Sequence, residues 1–342
     1  MLRRNLTRPL VRPSLSELGS SAPAPPAPAP APAALPAMDA PPPAPGAAYR
    51  SVFRPGLFEG RVVVVTGGGS GIGRCTAHEL VALGASVALV GRRIEKLERV
   101  AAEIADAGGR ASCHPLDIRD EDAVRAGVDA VLAAHGRVDG LVNNAGGQFP
   151  GAAESFTLKG WEAVIRNNLT GGFLMSREVF NRWMKEHGGA IVNIIADIWG
   201  GMPTMAHSGA ARAGTLNLTE TLASEWAPSG VRVNAVAPGW IASSGMETYP
   251  DAVKARLAQQ WRAVPLQRYG SEAEVSAAIV FLLSEAANFV TGGCIRVDGG
   301  VPNARPNAPA RPLRVTDSAA QRSFDGFHLS SPPAFMKIDR EG

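Results

Sequence analysis

A glycine-rich run between Thr66 and Gly73 has the composition and spacing of a phosphate-binding turn. It follows a run of valines and opens a predicted helix, in the order Thr66, Gly67, Gly68, Gly69, Ser70, Gly71, Ile72 and Gly73. Glycines let the backbone pass close to a pyrophosphate, which the N–H groups of the helix N-terminus can then bind. Between a strand and a helix this spacing predicts dinucleotide binding, and the alternative is a tight turn without a ligand.

Two arginines at the end of the next predicted strand indicate which dinucleotide binds. The strand ends at Val90-Gly91-Arg92-Arg93, where an NAD enzyme usually has an acid that holds the ribose 2′-hydroxyl. Gly91 carries no charge that would repel a 2′-phosphate, and Arg92 or Arg93 can pair with that phosphate. We therefore predict NADP(H) as the cofactor. The alternative is that both arginines only begin the solvated face of the next helix.

The elements that must position these residues alternate between strands and helices along most of the chain. This alternation predicts an α/β fold with a single Rossmann-type doubly wound parallel sheet and helices on both faces. The predicted strands are Val62–Val65, Ser86–Val90, Val138–Val142, Ala190–Ile195, Val231–Val236 and Cys294–Val297. The predicted helices are Ile94–Ala107, Asp120–Ala134, Trp161–Glu186, Ala211–Trp226 and Ala273–Leu283.

Composition excludes several classes of protein. The 342 residues are 45% hydrophobic, which is enough for a core, and the net charge of +3 without a basic block predicts no nucleic-acid partner. Cys75, Cys113 and Cys294 lack the paired spacing of a zinc site or disulfide framework, so we expect no metal and a reducing compartment. No apolar run is long enough to span a membrane.

The two ends of the chain differ from the body. Residues 1–48 start with four arginines and one acid, Glu17, and continue as mostly Pro and Ala, which cannot form a core. We expect a disordered extension or a true start at Met38, and an Arg-rich transit peptide is the alternative. The Rossmann domain is predicted over residues 49–302. Residues 303–342 are expected to form an irregular tail that packs on the body or on a neighbouring subunit.

Further motifs resemble the short-chain dehydrogenase/reductase family from about Phe53 to Gly300. They are Asp117-Ile118, Asn143-Asn144-Ala145-Gly146, Asn168, and the loop from Pro238-Gly239 through Ile241 to Ser243. The resemblance implies that Asp117 and Ile118 flank the adenine and that Asn144, Ala145 and Gly146 meet the cofactor at a strand end. It also implies that the Pro238–Ser243 loop holds the nicotinamide amide. Asn168 would hold a water in the proton relay, or it would bond backbone at a helix irregularity.

The segment that normally carries the Ser and Tyr-x-x-x-Lys residues of this family departs from the pattern. With Leu218-Thr219 as the anchor, the Tyr position falls on Ser208 and the Lys position on Arg212, while the serine strand end reads Ile195-Ala196. The stretch His207–Gly214 resembles peroxisomal trans-2-enoyl-CoA reductases. A bacterial branch of citronellol/citronellal dehydrogenases is also similar.

The missing tyrosine bears on the reaction. Reduction of a ketone or aldehyde leaves an alkoxide that needs a positioned acid, whereas reduction of an enoyl thioester leaves an enolate that hydrogen-bond donors can stabilise. Ser208 could be such a donor. Arg212 could bind the nicotinamide ribose and add positive charge, but it cannot act as a general acid. Helix packing with a salt bridge is the alternative role for both residues.

Other titratable residues flank the same segment. Asp197 and His207 could each relay a proton, and their alternatives are a helix-capping aspartate and a loop histidine. Trp199 and Met202 would line an apolar pocket or fill the loop. Tyr249 lies in the region that usually forms the substrate lid and could reach the site on closure, although surface packing is the favoured alternative.

Three functional hypotheses follow. The first is an NADP(H)-dependent enoyl thioester reductase, the second an alcohol/aldehyde dehydrogenase for terpenoid or other apolar alcohols, and the third an NADP-binding protein without catalysis. The expected partners are a small-molecule substrate and further copies of the chain, in a dimer or tetramer, because the Ala273–Val297 unit resembles the family's packing edge. The C-terminal Arg340-Glu341-Gly342 is not a peroxisomal signal of the S-K-L type, so we expect a cytoplasmic protein.

Overall fold

The computed structural model describes residues 48–243, 246, 251–303 and 319–336. The first half of the fold alternates β1 (Val62–Thr66), α1 (Gly71–Ala82), β2 (Ser86–Gly91), α2 (Ile94–Asp106), β3 (Arg110–Pro115), α3 (Glu121–His135) and β4 (Gly140–Asn143). A long helical stretch follows, with α4 (Leu158–Ile165), α5 (Gly171–Val179) and α6 (Lys185–His187). The second half contains β5 (Gly189–Ile194), α7 (Ala206–Trp226), β6 (Val231–Pro238), α8 (Asp251–Leu257), α9 (Glu272–Leu283) and β7 (Cys294–Val297).

The described strands form one seven-stranded parallel sheet in the order β3-β2-β1-β4-β5-β6-β7, which confirms the predicted fold. Successive valines of β1 alternate between the two faces, as the pleat of a strand requires. Val63 and Val65 pack in the cluster that includes α1, α2 and α9, whereas Val64 packs in the cluster that includes α3, α5 and α7. The strand order reverses between β1 and β4, and parallel sheets bind ligands at the carboxyl ends of strands beside such a reversal.

Several element boundaries differ from the predictions. The predicted helix Trp161–Glu186 is a longer helical stretch, interrupted by two π-helical turns at Arg166–Thr170 and Phe180–Met184. Helix α7 begins at Ala206 rather than at the predicted Ala211. The sequence does not mark this start, because Met205, which precedes the helix, provides no capping side chain. Strand β3 was not among the predicted strands, because its sequence, Arg-Ala-Ser-Cys-His-Pro, is not an apolar run. Such polar residues fit its position at the edge of the sheet.

The two ends of the described chain meet on α1. Tyr49 and Phe327 are buried together with Cys75 and Ala273, and the Phe327 ring lies 5.1 Å from the ring of His78. His78 is 3% exposed, and its Nε2 lies 3.2 Å from Glu103 Oε2 on α2. Residues 1–47 and 304–318, where much of both predicted tails falls, lie outside the described residues. Within the described ranges no helix has the length and apolar character to cross a membrane.

The buried histidine generates a prediction about stability. Burial lowers the pKa of His78 to about 4, although Glu103 acts in the opposite direction. An exposed histidine in the unfolded chain titrates near ~6.5, so the unfolded state binds more protons between these two values and stability rises with pH there. Between pH 7 and pH 5 the protein should lose about 2 kcal/mol of unfolding free energy through this group.

Urea unfolding of the wild type and of His78→Phe at both pH values measures this effect. The variant should lose correspondingly less stability on acidification, whatever its absolute stability. Equal pH dependence of the two proteins would show that His78 does not contribute in this way.

Candidate active site

A cavity of about 250 Å³ lies at the carboxyl ends of β1, β2 and β4, where the strand order predicts a ligand. Ten of the predicted cofactor residues line it: Gly67, Ser70, Ile72, Arg92, Arg93, Asp117, Ile118, Asn144, Ala145 and Gly146. Six further residues line it. Gly69 and Gly91 belong to the two motifs that predicted the cofactor, whereas Lys96, Leu97, Leu116 and Asn167 were not assigned from the sequence. Lys96 could have been suspected, because it lies in the first turn of α2, directly after the two arginines that precede that helix.

The glycine turn leaves room for its neighbours and keeps the helix N-terminus open. A Cβ on Gly73 would lie 2.5 Å from both Gly67 O and Asn144 Nδ2, and one on Gly67 would lie 2.8 Å from the same Nδ2. Ser70 precedes α1 but makes no side-chain capping bond, so the first N–H groups of α1 keep their capacity for an acceptor. These features fit a pyrophosphate at this turn.

The remaining predicted cofactor residues do not line the cavity. Thr66 Oγ1 accepts hydrogen bonds from the backbone N–H groups of Asn144 and Ala145, both at 3.0 Å, and so joins β1 to the loop after β4. Gly71 has a positive φ of 57°, and a Cβ there would lie 3.0 Å from Ser243 Oγ. The other members of this group are Gly73, Pro238, Gly239 and Ile241, and their binding roles remain predictions.

Arg212 lies on α7 with only 9% of its surface exposed. Its Nη1 donates to the carbonyl of Ile194, the last residue of β5, over 2.5 Å. Burial lowers the pKa of Arg212 to about 10, so the guanidinium keeps its positive charge at neutral pH. A Cβ on Gly146 would lie 2.4 Å from Arg212 Nη2 and 2.8 Å from Asn168 Oδ1, so that position accommodates only glycine without displacing them.

Asn168 lies in the first π-helical turn and holds the loop after β4. Its Nδ2 donates to Gly147 O at 2.8 Å, and its Oδ1 accepts from Gly147 N at 2.9 Å. The carbonyl of Asn168 accepts from Thr215 Oγ1 on α7 at 3.0 Å. These bonds match the alternative that Asn168 pairs with backbone at a helix irregularity, of the kind common at functional sites. Its role in a water relay remains a prediction.

Ser208 forms a pair with a residue that sequence reasoning missed. The serine is fully buried, and its Oγ donates to Gln148 Oε1 over 2.5 Å. The hydroxyl proton of Ser208 is therefore directed at Gln148, whose half-buried amide nitrogen retains two protons to donate. An amide side chain immediately after Asn143-Asn144-Ala145-Gly146-Gly147 was the available signal, since that strand end adjoins the cofactor.

His207 lies in the first turn of α7, so the alternative of a loop histidine was wrong, and its proton-relay role remains a prediction. The ring is fully buried, stacks on Phe156 with centroids 4.2 Å apart and meets Phe149 edge-on at 4.7 Å. Its Nδ1 accepts the Ser208 N–H at 2.8 Å. Burial lowers the pKa of His207, and the nearby Met205 backbone offsets part of that change. A neutral imidazole packed between phenylalanines is suited to form an apolar wall.

Asp197 follows β5 and lies toward the end of β7. Its N–H donates to Pro238 O at 3.2 Å, and its electrostatic neighbours are Asp298 and Arg296. Burial and the Asp298 carboxylate raise the pKa of Asp197, and Oδ1 has no hydrogen-bond partner among the described residues. These contacts do not join Asp197 to Ser208 or Arg212, and its proton-relay role remains a prediction. The predicted lid residue Tyr249 lies outside the described residues.

Comparison with known proteins agrees with this geometry. The family model described as Enoyl-(Acyl carrier protein) reductase matches residues 67–302. The chain therefore belongs to this family of short-chain dehydrogenases/reductases, whose members are NAD(P)-dependent oxidoreductases. The peroxisomal 2,4-dienoyl-CoA reductase of Danio rerio is 37% identical over 279 residues, which cover 80% of this chain and 92% of that protein.

Two solved structures extend the comparison. The citronellol catabolism dehydrogenase AtuB of Pseudomonas aeruginosa PAO1 is 58% identical, with a TM-score of 0.68, over 74% of this chain and 100% of its own. A protein of Beutenbergia cavernae, described as an NAD(P)-dependent gluconate 5-dehydrogenase with NADP bound, is 36% identical. Its TM-score is 0.66, over 73% of this chain and 100% of its own.

The close approach of Gly146 to Arg212 gives a test of the site. Gly146→Ala should displace the guanidinium and the Asn168 amide, because the new methyl group would overlap both. We expect kcat/KM to fall by at least ~tenfold, equivalent to about 1.4 kcal/mol of transition-state stabilisation. Steady-state kinetics and circular dichroism measure activity and folding together.

Gly172→Ala is the matched control, because a Cβ at Gly172 would have no neighbour nearer than 3.8 Å. This variant should retain wild-type activity. If Gly146→Ala is also as active as the wild type, then the position of Arg212 is not important for the reaction.

Proposed function

We propose that the protein is an NADP(H)-dependent reductase of a carbon–carbon double bond conjugated to an acyl thioester. The observation that carries this proposal is the Ser208–Gln148 pair beside Arg212, at the place where the family's tyrosine and lysine would lie. This arrangement offers an amide donor and a fixed positive charge. Neither group readily releases a proton at neutral pH.

The chemistry of a conjugated thioester suits such groups. When hydride adds to the far carbon of the double bond, electrons move toward the thioester oxygen and form an enolate. Hydrogen-bond donors and positive charge stabilise that oxygen without protonating it, and the proton is finally added to carbon. Reduction of a carbonyl substrate also requires a proton donor at the oxygen, because the atom that receives the charge must receive the proton as well.

Each residue then has a role that follows from its contacts. The Gln148 amide donates to the thioester oxygen, and Ser208 orients that amide by donating to its Oε1. Asn168 holds the loop that carries Gln148 through its two bonds to Gly147. Arg212 contributes positive charge near the carboxyl end of β5.

The cofactor cavity supports NADP(H). Arg92, Arg93 and Lys96 line it together, beside the glycine turn that fits a pyrophosphate. A reduced nicotinamide bound there would supply the hydride. Asp117, the acid among the lining residues, is engaged by Arg119 through bonds of 2.5 to 3.1 Å, which lower its pKa. The cationic side chains therefore remain available for a 2′-phosphate.

The relatives support both this proposal and a second candidate. The name of the Danio rerio protein places reduction of a conjugated acyl-CoA within the family. The 58% identity to AtuB favours an apolar alcohol or aldehyde of the citronellol type as the alternative substrate. The apolar side chains at the loops after β4 and β5, including the partly exposed Phe149 and Trp199, suit either an acyl chain or a terpenoid.

We also propose that the chain forms a homo-oligomer. Within the described chain β7 pairs only with β6, and its residues are mostly half-buried at the edge of the sheet. An edge strand with unpaired backbone groups is commonly covered by a second chain. Sedimentation velocity of the purified protein measures the assembly directly.

A substrate panel tests the main proposal. Purified protein should oxidise NADPH when given trans-2-enoyl-CoA or 2,4-dienoyl-CoA of medium chain length. The decrease in NADPH absorbance at 340 nm measures this oxidation. Turnover of citronellol with NADP⁺, without activity on any thioester, would select the alcohol dehydrogenase. Tight NADPH binding without turnover of any substrate would indicate a binding protein without catalysis.

Two variants separate Gln148 from Ser208 as the donor. Gln148→Glu keeps an acceptor for the Ser208 hydroxyl but loses both amide protons, so thioester reduction should fall about 100-fold or more. Ser208→Ala leaves the amide in place and should cost only about tenfold. A larger loss in Ser208→Ala than in Gln148→Glu would assign the donor role to the serine.

The cofactor preference has its own test. The double variant Arg92→Ala/Arg93→Ala should raise the KM for NADPH by at least ~tenfold and leave the KM for NADH nearly unchanged, because only NADPH carries the 2′-phosphate. Arg54→Ala is the control, since Arg54 is exposed and does not line the cavity. Equal losses with both cofactors would contradict a phosphate-specific role.

A further inference from the structure

Residues 319–336, here called the C-terminal segment, pack on the body beyond the region matched by the family, which ends at residue 302. Among the described residues, five hydrogen bonds attach its first half. Arg268 Nε donates to Ala320 O at 2.9 Å, Ser271 Oγ to Phe324 O at 2.7 Å, and Arg50 N to Gly326 O at 2.9 Å. Arg50 Nη2 also donates to Asp325 O at 3.1 Å, and Phe324 N donates to Glu274 Oε1 at 3.4 Å. The segment therefore contacts the N-terminus of α9 and the chain that precedes β1.

Phe327 is the anchor of the C-terminal segment. Its side chain is 2% exposed, and its ring centroid lies 6.0 Å from the ring of Tyr49. The guanidinium carbon of Arg74 lies 5.1 Å above the Phe327 ring, within the range of a cation–π contact. Gly326 allows the close approach, because a Cβ there would lie 2.5 Å from Arg50 O.

Arg74 connects this anchor to the cofactor cavity. It is the fourth residue of α1, whose N-terminus forms the glycine turn, and its Nε donates to Glu103 Oε2 on α2 over 2.7 Å. Lys96 lies in the first turn of α2, and a Cβ added to Gly69 in the glycine turn would lie only 3.0 Å from the Cβ of Lys96. The Arg74–Glu103 bond thus joins α1 to α2, whose first turns both line the cavity, and Phe327 packs against Arg74.

The other end of the C-terminal segment packs on a different helix. Its last turn, Ala334–Met336, contacts α8, and Met336 is 4% exposed. Along the chain, α8 follows the Pro238–Ser243 loop, which is predicted to hold the nicotinamide amide, and precedes α9. One continuous segment therefore contacts both the helix at the pyrophosphate turn and a helix that follows the nicotinamide loop.

We propose that the C-terminal segment is a positioning element for the nicotinamide cofactor. It braces α1 against α2 through Phe327 and Arg74, and its last turn packs against α8. Cofactor binding and docking of this segment stabilise each other, because such coupling is reciprocal. The inference rests on the proposed use of a nicotinamide cofactor and does not depend on which substrate is reduced.

Cofactor titration of the full chain tests the inference. Phe327→Ala should raise the Kd for NADPH by about fivefold or more, while kcat at saturating cofactor and substrate stays within about twofold of the wild type. Phe327→Leu should restore much of the affinity, because it refills most of the apolar site. Phe289→Ala is the control, since Phe289 is fully exposed, and it should bind as the wild type does.

Two results would overturn the inference. A lowered melting temperature of Phe327→Ala with an unchanged Kd would show that the segment only adds stability. Should that variant fail to fold, Gly326→Ala serves instead, because the added methyl group pushes the segment from Arg50, and an unchanged Kd would again count against the inference. Wild-type protein that binds neither NADPH nor NADH would instead overturn the proposed function, and the inference with it.

Hydrogen exchange provides an independent readout that a purely structural role would not change. Saturating NADPH should slow exchange in peptides that cover the C-terminal segment, although the segment does not line the cofactor cavity. This protection should be smaller in Phe327→Ala. Identical exchange of the segment with and without cofactor in the wild type would contradict the coupling.

Discussion

The buried guanidinium of Arg212 is the interaction on which the site depends. A cation with only 9% of its surface exposed needs fixed dipoles in place of water, and the Ile194 carbonyl supplies one of them. The same guanidinium occupies the space that a side chain at position 146 would need. Because Arg212 lies on α7, Ile194 ends β5 and Gly146 follows β4, this one group lies where three elements meet at the carboxyl edge of the sheet.

On the cofactor side of that edge, close packing likewise determines which residues fit. The Asn144 amide donates to Thr66 O at 3.0 Å and lies where Cβ atoms on Gly67 or Gly73 would have to be. The glycine turn can therefore close against the loop after β4 while its backbone faces the cavity. Asn144, two residues before Gly146, connects the cofactor half of the site to the half that contains Arg212.

Residues whose role depends on local backbone geometry could be predicted from the sequence. The glycine turn, the arginines after β2 and the parallel sheet follow from spacing and periodicity alone, and ten predicted residues line one cavity. The place of Gln148 after the Asn143–Gly147 strand end was visible in the sequence, but its pairing was not, because that pairing is a contact with Ser208, sixty residues later in the chain. The burial of His207 was missed because no capping residue marks the start of α7, and β3 was missed because its edge position tolerates polar residues.

The Ser208–Gln148 pair is better suited to a reaction that passes through an enolate than to one that passes through an alkoxide. In the arrangement usual for the family, a tyrosine both binds the substrate oxygen and gives it a proton. Here the serine donates to the glutamine carbonyl, so under the proposed function the group that would face a substrate is an amide, and the nearby charge belongs to a guanidinium. Both can stabilise negative charge on oxygen, but neither neutralises it by proton transfer at neutral pH. Such a site would stabilise an alkoxide without protonating it, so reduction of a carbonyl would not be completed. An enolate, in contrast, is converted to product when it takes its proton on carbon.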